Sequence, residues 1–373
     1  MGSTTGADDG SADRARSLAA WFAQRHPHAH DVWVRDIGGP HASGYSNETV
    51  FFRACWNEAG ESREARYVAR IEPRTPPVYP QQTATAMAAV ELQYRVMQAV
   101  TRAGGVPVPP LAGYEPGTDL LGAPFYVMGF VDGDVPKDNP VYTSEGFYVD
   151  AAPVERYRAI DDGLRVLARL HAIDPVAAGL DWLAGGRTPG LVRQLEIFRL
   201  YASELLAGRP HPVLANAFAW LEEESASDGP AVLLWGDARP GNMIFRDFRC
   251  VAANDWEGAA LGPAELDLGW WLALDRFAHE GSGLPRLEGE PSREEQIALY
   301  ERHAGRSVRD PFWHEVFAAA RFTIVMIRTC QRMTDAGTVP DSMNMPVNNP
   351  ATQLLADMLG IPYSWQAAAG LTT

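Results

Sequence analysis

Hydrophobic positions follow two different rules along this 373-residue chain. In "ADRARSLAAWFAQR", residues 12–25, Leu18, Trp21 and Phe22 recur at helical spacing and predict a helix. "DVWVRDI" and "ETVFFRACW" then gather β-formers on either side of a glycine-bearing segment, and "ARYVARIEP" adds a strand closed by Pro73. "AVELQYRVMQAVTRAGG" predicts a helix over 88–103, stopped by Gly104 and Gly105. "APFYVMGFVDG" is a further strand ending in a turn at Asp132 and Gly133. The first third therefore reads as a small five-stranded antiparallel sheet with one helix.

Beyond it the period is helical. Ile160, Leu164, Leu167 and Leu170 mark one face of a helix over 155–172, and similar patterns follow at 189–207, 211–225, 263–279, 292–304 and 312–335. Only "AVLLWGD", "NMIFRD" and "CVAANDWE" interrupt them with strand-like runs. The Pro/Gly-rich segment 132–153 and the segment 279–292 read as surface connections or lids. The fold class is α+β with two lobes, 1–130 (1–11 flexible) and 131–373.

Composition narrows the function. A hydrophobic share of 46% is ample for two cores, and a net charge of −15 with no lysine or arginine run speaks against nucleic acid. The excess acid reads as a solvated surface. Cys55, Cys250 and Cys330 are scattered, so neither a disulfide framework nor a zinc site is expected. With no long apolar stretch and a polar N-terminus, the expectation is a cytoplasmic protein without a membrane partner. The sequence is silent on oligomeric state.

The chemistry concentrates in "WGDARPGNMIF". A short apolar strand delivers Asp237, a turn at Pro240 and Gly241 reverses the chain, and Asn242 begins the next strand. A second apolar run then brings Asp255 and Glu257. Taken alone, Asp, Pro, Gly and Asn make turns, and a lone Asp255 could cap a helix. Together they offer one carboxylate to receive a proton from a hydroxyl and two hard oxygen ligands for magnesium, the set that phosphoryl transfer needs.

In their order and spacing, "WGDARPGN", "ANDWE" and "GPAELDLGWW" resemble the motifs of the aminoglycoside phosphotransferase-like kinases, which share a protein-kinase-like fold. The resemblance runs from "SGYSNETVFF" to the C-terminal helices and is similar to the branch found alone or fused with acyl-CoA dehydrogenases. It implies an ATP- and Mg2+-dependent kinase, with GTP as an alternative donor, acting on a hydroxyl of a small molecule. Asp237 would be the catalytic base, Asn242 and Asp255 the magnesium ligands, Arg239 a cation beside the γ-phosphate, and Asp267 a structural acceptor for the catalytic-loop backbone. His171 matches a family position near that loop, with core packing as its expected role.

The resemblance also assigns nucleotide contacts. "GGPHASGYSNETVFF" departs from a Walker A loop, with Tyr45 where lysine belongs, and reads better as a flap offering Ser43, Ser46 and Asn47. Arg70 stands at the place of the phosphate-gripping lysine, with Glu91 or Gln93 as its helix partner; about 200° apart on the helix, only one of them can face it. Met128, Gly129 and Phe130 would meet the adenine edge. Trp235 replaces the family's histidine before Gly-Asp, which opens the alternative of a nucleotide-binding pseudokinase. Trp270, Trp271, Phe277 and Phe322 suggest an acceptor with an apolar part or, equally, a helix core. The C-terminal "AAAGLTT" lacks the acidic end of aminoglycoside kinases, so a hydroxylated metabolite or hydroxyacyl thioester is preferred over an antibiotic.

Overall fold

Why the first helix sits where it does follows from three residues. A computed structural model describes residues 6–39 and 47–364. It divides them into two units, one drawn from residues up to 77, 87–98 and 109–131, the other from 78–86, 99–108 and 132 onward. In the first unit α1 (Gly6–Arg25) precedes β1 (His30–Gly38), β2 (Glu48–Glu58) and β3 (Glu61–Ile71); α2 (Ala89–Ala103), whose residues from Ala99 on are counted in the second unit, β4 (Leu111–Glu115) and β5 (Phe125–Gly129) follow. The helix starts at Gly6, ahead of the expected residue 12.

The strands form one antiparallel sheet in the order β1-β2-β3-β5-β4. Leu18, Trp21 and Phe22 of α1 are buried against Val50, Phe52 and Ala54 of β2, Ala69 and Ile71 of β3, and Phe125 and Val127 of β5. These strand positions are two apart, so they share a face. Tyr126 points the other way, and its hydroxyl donates to Gln93 Oε1 of α2 at 3.2 Å. Glu72 receives the N–H groups of Ala89 and Val90 at 3.1 and 3.0 Å, fixing the start of α2 with a carboxylate.

The second unit contains α3 (Phe147–Asp150), α4 (Pro153–His171), α5 (Leu191–Leu206), α6 (Pro212–Glu223), β6 (Ala231–Leu234), β7 (Met243–Arg246), β8 (Arg249–Ala253) and β9 (Ala260–Pro263). It ends with α7 (Glu265–Ala278), α8 (Arg293–Ala304), α9 (Pro311–Asp335) and α10 (Pro350–Leu359). Strand β6 pairs with β9, and β7 with β8, each antiparallel. Proline opens α4, α6, α9 and α10, where its missing N–H costs nothing. The core gathers on α9: Phe317, Ala320, Ile324 and Ile327 pack with Phe198 of α5, Phe218 of α6 and Leu354 and Leu355 of α10.

The two segments read as surface connections expose much of their length and are tied down at a few points. Segment 132–153 exchanges two backbone hydrogen bonds with Phe245 through Asp134, both 2.8 Å, and buries Tyr142 and Tyr148. In 279–292, His279 Nε2 meets Glu290 Oε2 at 3.0 Å, both buried, and Arg286 pairs with Asp275. Buried pairs of opposite charge hold this segment down.

Gly269 sits inside α7, where glycine costs about 1 kcal/mol relative to alanine. The reason is the α7–α9 crossing: a Cβ there would stand 2.5 Å from the carbonyl oxygen of His314. Gly269→Val is therefore expected to cost at least about 2 kcal/mol, read from the urea midpoint, because backbone must move. Gly38→Ala, which meets no atom within 4 Å, should change it by less than about 0.5 kcal/mol.

His211 caps α6, its Nδ1 accepting the N–H of Leu214 at 3.2 Å. Burial pushes this imidazole down to about 4. Since an unfolded histidine titrates near 6.5, the folded state favours the neutral ring. Its contribution is complete above that value and is lost as pH falls through about 4. His211→Asn keeps a capping acceptor and removes the titration, so the decline in stability between these pH values should flatten in denaturant titrations.

Candidate active site

The candidate site grows from the end of β6. Trp235 and Gly236 both give their N–H groups to Asp267, at 2.6 Å to Oδ2 and 2.9 Å to Oδ1. Gly236 has φ +84°, and a Cβ on it would lie 1.9 Å from the carbonyl oxygen of Gly258. Only glycine suits that position. The buried guanidinium of Arg321 donates to Gly236 O at 3.0 Å and lies over the Trp270 ring. His171 Nε2 meets Asp267 Oδ2 at 3.2 Å, and its Nδ1 meets the Tyr300 hydroxyl at 2.6 Å. Trp235 stacks on Trp256 and donates from Nε1 to Asn254 O at 2.8 Å, so the residue in place of a histidine is a packing element.

This frame presents Asp237. Its Oδ1 accepts from Trp270 Nε1 at 2.8 Å and from Arg239 Nε at 3.1 Å, while Oδ2 accepts from Asn242 Nδ2 at 2.8 Å. Three donors fix the direction of a buried carboxylate. Such a group can take a proton from a hydroxyl placed against its remaining lone pairs. Arg239 also pairs with Asp138. Burial opposes its charge, but Asp237 and Asp138 outweigh this and hold its pKa above the usual value.

The β7–β8 hairpin sets the residue before Asp255 against Asn242. Met243 pairs with Ala253, and Asn254 N–H donates to Asn242 O at 2.9 Å, so Asp255 follows directly from a residue bonded to Asn242. Asp255 has φ +57°, a bend out of the strand that aspartate tolerates better than most residues. With Nδ2 spent on Asp237, Asn242 has Oδ1 for a cation. Among the described residues no group of three or more His, Cys, Asp or Glu is placed to hold a metal. Two hard oxygen donors nevertheless fit Mg2+, which commonly takes one or two protein ligands and completes its shell with phosphate and water.

Tyr79 joins this neighbourhood. Burial pushes its phenol pKa well up, and the charges of Asp237, Glu257 and Asp255 push the same way. Its ring lies against Gly258, 3.1 Å from the position of a Cβ there. Sequence reasoning missed Tyr79, Arg321 and Asp138, whose neighbours lie far off in the chain. Trp270 and Trp271 take the helix-core place that the sequence offered as one of two readings. Both are buried: one bonds Asp237, and the other donates from Nε1 to Gln296 Oε1 at 2.7 Å.

In the first unit Arg70 Nη1 donates to Thr49 Oγ1 at 3.2 Å, and Tyr126 is its neighbour across β5. Gln93, bonded to that tyrosine, lies buried near it; Glu91 pairs with Arg95 at 3.4 Å. The N–H of Gly129 donates to Pro110 O at 2.7 Å and that of Phe130 to Arg66 O at 2.9 Å. Strand pairing thus occupies both donors, so an adenine edge would need other groups of this stretch, Met128 included. Asn47 is buried, with no partner for its amide among the described residues. Ser43 and Ser46 lie outside the described residues.

Known proteins are similar to this chain. The profile of the phosphotransferase enzyme family, APH, matches residues 38–312. Acyl-CoA dehydrogenase family member 11 of Rattus norvegicus is 26% identical over 294 residues, covering 76% of this chain and 35% of that protein. Its Gallus gallus counterpart is 28% identical over 299 residues, covering 77% and 35%. The chain thus spans about a third of the length of these relatives. Among solved structures, a Ralstonia eutropha protein named for the aminoglycoside phosphotransferases superposes with a TM-score of 0.66 at 23% identity, over 92% of this chain and 98% of that one. The gentamicin complex of APH(2")-IIa gives 0.54 at 12% identity, over 91% and 97%. These likenesses show the kinase-like fold of the aminoglycoside phosphotransferases, and the match across the strand, hairpin and helix that carry Asp237, Asn242, Asp255 and Asp267 shows that the chain belongs to the phosphotransferase enzyme family.

Proposed function

We propose that the protein transfers the γ-phosphoryl group of ATP, or of GTP in its place, to a hydroxyl of a small molecule. The observation that carries this reading is the Asp237 carboxylate, aimed by three donors, one of them Asn242, whose carbonyl holds the N–H of the residue before Asp255. The acceptor oxygen forms a bond to the γ-phosphorus, the bond from that phosphorus to the leaving ADP oxygen breaks, and the acceptor proton passes to Asp237. Asn242 and Asp255 would hold Mg2+, which when bound offsets phosphate charge. Arg239 adds a cation beside Asp237.

Nucleotide phosphates would draw on Arg70, with Ser43, Ser46 and Asn47 on the preceding segment, and the base on the backbone of 128–130. Aminoglycosides are acceptors suggested by the structural neighbours, while the acyl-CoA dehydrogenase relatives favour a hydroxylated metabolite or hydroxyacyl thioester. The latter is preferred, since fold likeness at low identity does not carry a substrate across.

ATP with Mg2+ should raise the melting temperature by mass action, and the absence of any shift at millimolar nucleotide would overturn the proposal. Asp237→Asn should retain nucleotide affinity while ADP release with a working acceptor falls by about two to four orders of magnitude. Asp255→Asn should instead weaken Mg2+-dependent ATP binding, an amide being a poorer ligand for a hard dication. Wild-type turnover by Asp237→Asn would sink its role as base. Tight ATP binding with no transfer to any of a broad metabolite panel would point to a nucleotide-binding module without catalysis.

A further inference from the structure

The cation beside the candidate base is held from two sides. Arg239 Nε donates to Asp237 Oδ1 at 3.1 Å, and Arg239 Nη1 donates to Asp138 Oδ1. Nη2 has no hydrogen-bond partner among the described residues. A guanidinium grips an oxyanion through two parallel N–H groups, either Nε with Nη2 or Nη1 with Nη2. Each of these edges therefore has one prong free and the other spent on a carboxylate.

The two carboxylates are not equally fixed. The Asp237 side chain is 10% exposed and takes two further hydrogen bonds, from Trp270 and Asn242, whereas that of Asp138 is 64% exposed. Asp138 stands on a turn closed by the Tyr142 N–H, which donates to Lys137 O at 2.9 Å, and its backbone pairs with Val141. Anchors flank the turn: Asp134 pairs with Phe245 on one side, and on the other the Thr143 hydroxyl donates to Ala278 O at 2.7 Å. The neighbouring cation, Lys137, faces Glu145 at 3.5 Å. The ion pair itself lies over Gly241, where a Cβ would stand 2.5 Å from Arg239 Nη1 and 2.8 Å from Asp138 Oδ1. The fold thus delivers an exposed carboxylate to the turn that joins Asp237 to Asn242.

Chemistry sets the distance to the nucleotide. An acceptor oxygen giving its proton to Asp237 lies about 3 Å from that carboxylate, and the phosphorus it attacks lies about 3–3.5 Å farther on. Arg239 is bonded to the same carboxylate, so its fork falls within that span. A phosphoryl group gripped there by two prongs needs Nη2 and one of the occupied donors, and the exposed partner is the one that gives way.

We propose that Asp138 holds the place of the γ-phosphate on Arg239, yields Nη1 when ATP binds, and reclaims it once the nucleotide is ADP. This rests on the phosphotransferase reading and adds to it the residue that sets discrimination between tri- and diphosphate. A carboxylate displaced beside an incoming phosphate anion opposes its binding, and ADP, which lacks the γ-phosphate, does not meet that opposition. Asp138 therefore weakens ATP binding selectively.

Isothermal titration of the full chain with Mg2+ and either ADP or the non-hydrolysable analogue AMP-PNP reads this without an acceptor. Asp138→Asn keeps the shape of the side chain and removes its charge. It should tighten AMP-PNP binding about 2–5-fold, the worth of an exposed ion pair, and leave ADP binding unchanged. Asp138→Glu restores the charge and should return the ratio of the two affinities toward that of the wild type. Arg239→Gln removes the contested donor, so in that background Asp138→Asn should lose most of its effect. Unchanged ligand-free melting temperatures would show that the variants fold. The proposal is overturned if Asp138→Asn leaves the ratio unchanged, if it weakens AMP-PNP binding, or if its effect persists in full without Arg239. Failure of the wild type to bind either nucleotide would instead strike the phosphotransferase reading itself.

Discussion

Everything at the candidate site depends on one carboxylate that does no chemistry. Asp267 receives two consecutive backbone N–H groups, from Trp235 and Gly236, and so decides where β6 stops being a strand. A carboxylate in that position must be fully paired, because an uncompensated buried charge costs several kcal/mol. His171 supplies a further contact, steadied by Tyr300, and Arg321 takes the carbonyl that the same turn exposes. Helices α4, α7, α8 and α9 thereby converge on a turn of two residues.

From that anchor the reactive geometry follows with little freedom. Asp237 is the next residue, and its three donors come from the turn itself, from Asn242 at the start of the hairpin, and from Trp270 one helical turn beyond Asp267. The helix that fixes the backbone thus also aims the side chain, since residues three apart share a face. The Gly236–Gly258 approach ties the segment holding Asp255 and Glu257 to the same point without a side chain between them.

The parts legible in the sequence are those whose partners are close in the chain. Asp237 and Asn242 are joined by a short turn, and a hairpin sets the residue before Asp255 against Asn242, so spacing alone made the three readable as a group. The amphipathic faces of α4, α5 and α9 read plainly because each has one apolar stripe. Strand β9 escaped notice because "ALGP" is too short and too small to alternate, although all four residues are buried. Helix α10 begins at Pro350 behind Asn349, whose side chain caps it through Thr352 N–H at 3.0 Å, a start hidden in a proline- and asparagine-rich stretch. The bond from Trp270 to Asp237 was not legible because an indole is both apolar bulk and a hydrogen-bond donor, and composition weighs only the first. Tyr79 sits among prolines, where no periodicity marks it as buried.

The carboxylate of Glu72 at the head of α2 has a bearing on how the first unit meets anions. Helix N-termini are the usual backbone docking points for phosphate, since their unpaired N–H groups and dipole both favour negative charge. Here Ala89 and Val90 already spend theirs on a resident anion covalently part of the chain. A phosphate arriving at that helix would have to displace a tethered competitor at very high local concentration. Anion recognition in the first unit is thereby steered away from backbone dipoles and onto side chains, so its affinity should depend on guanidinium chemistry and be correspondingly sensitive to ionic strength.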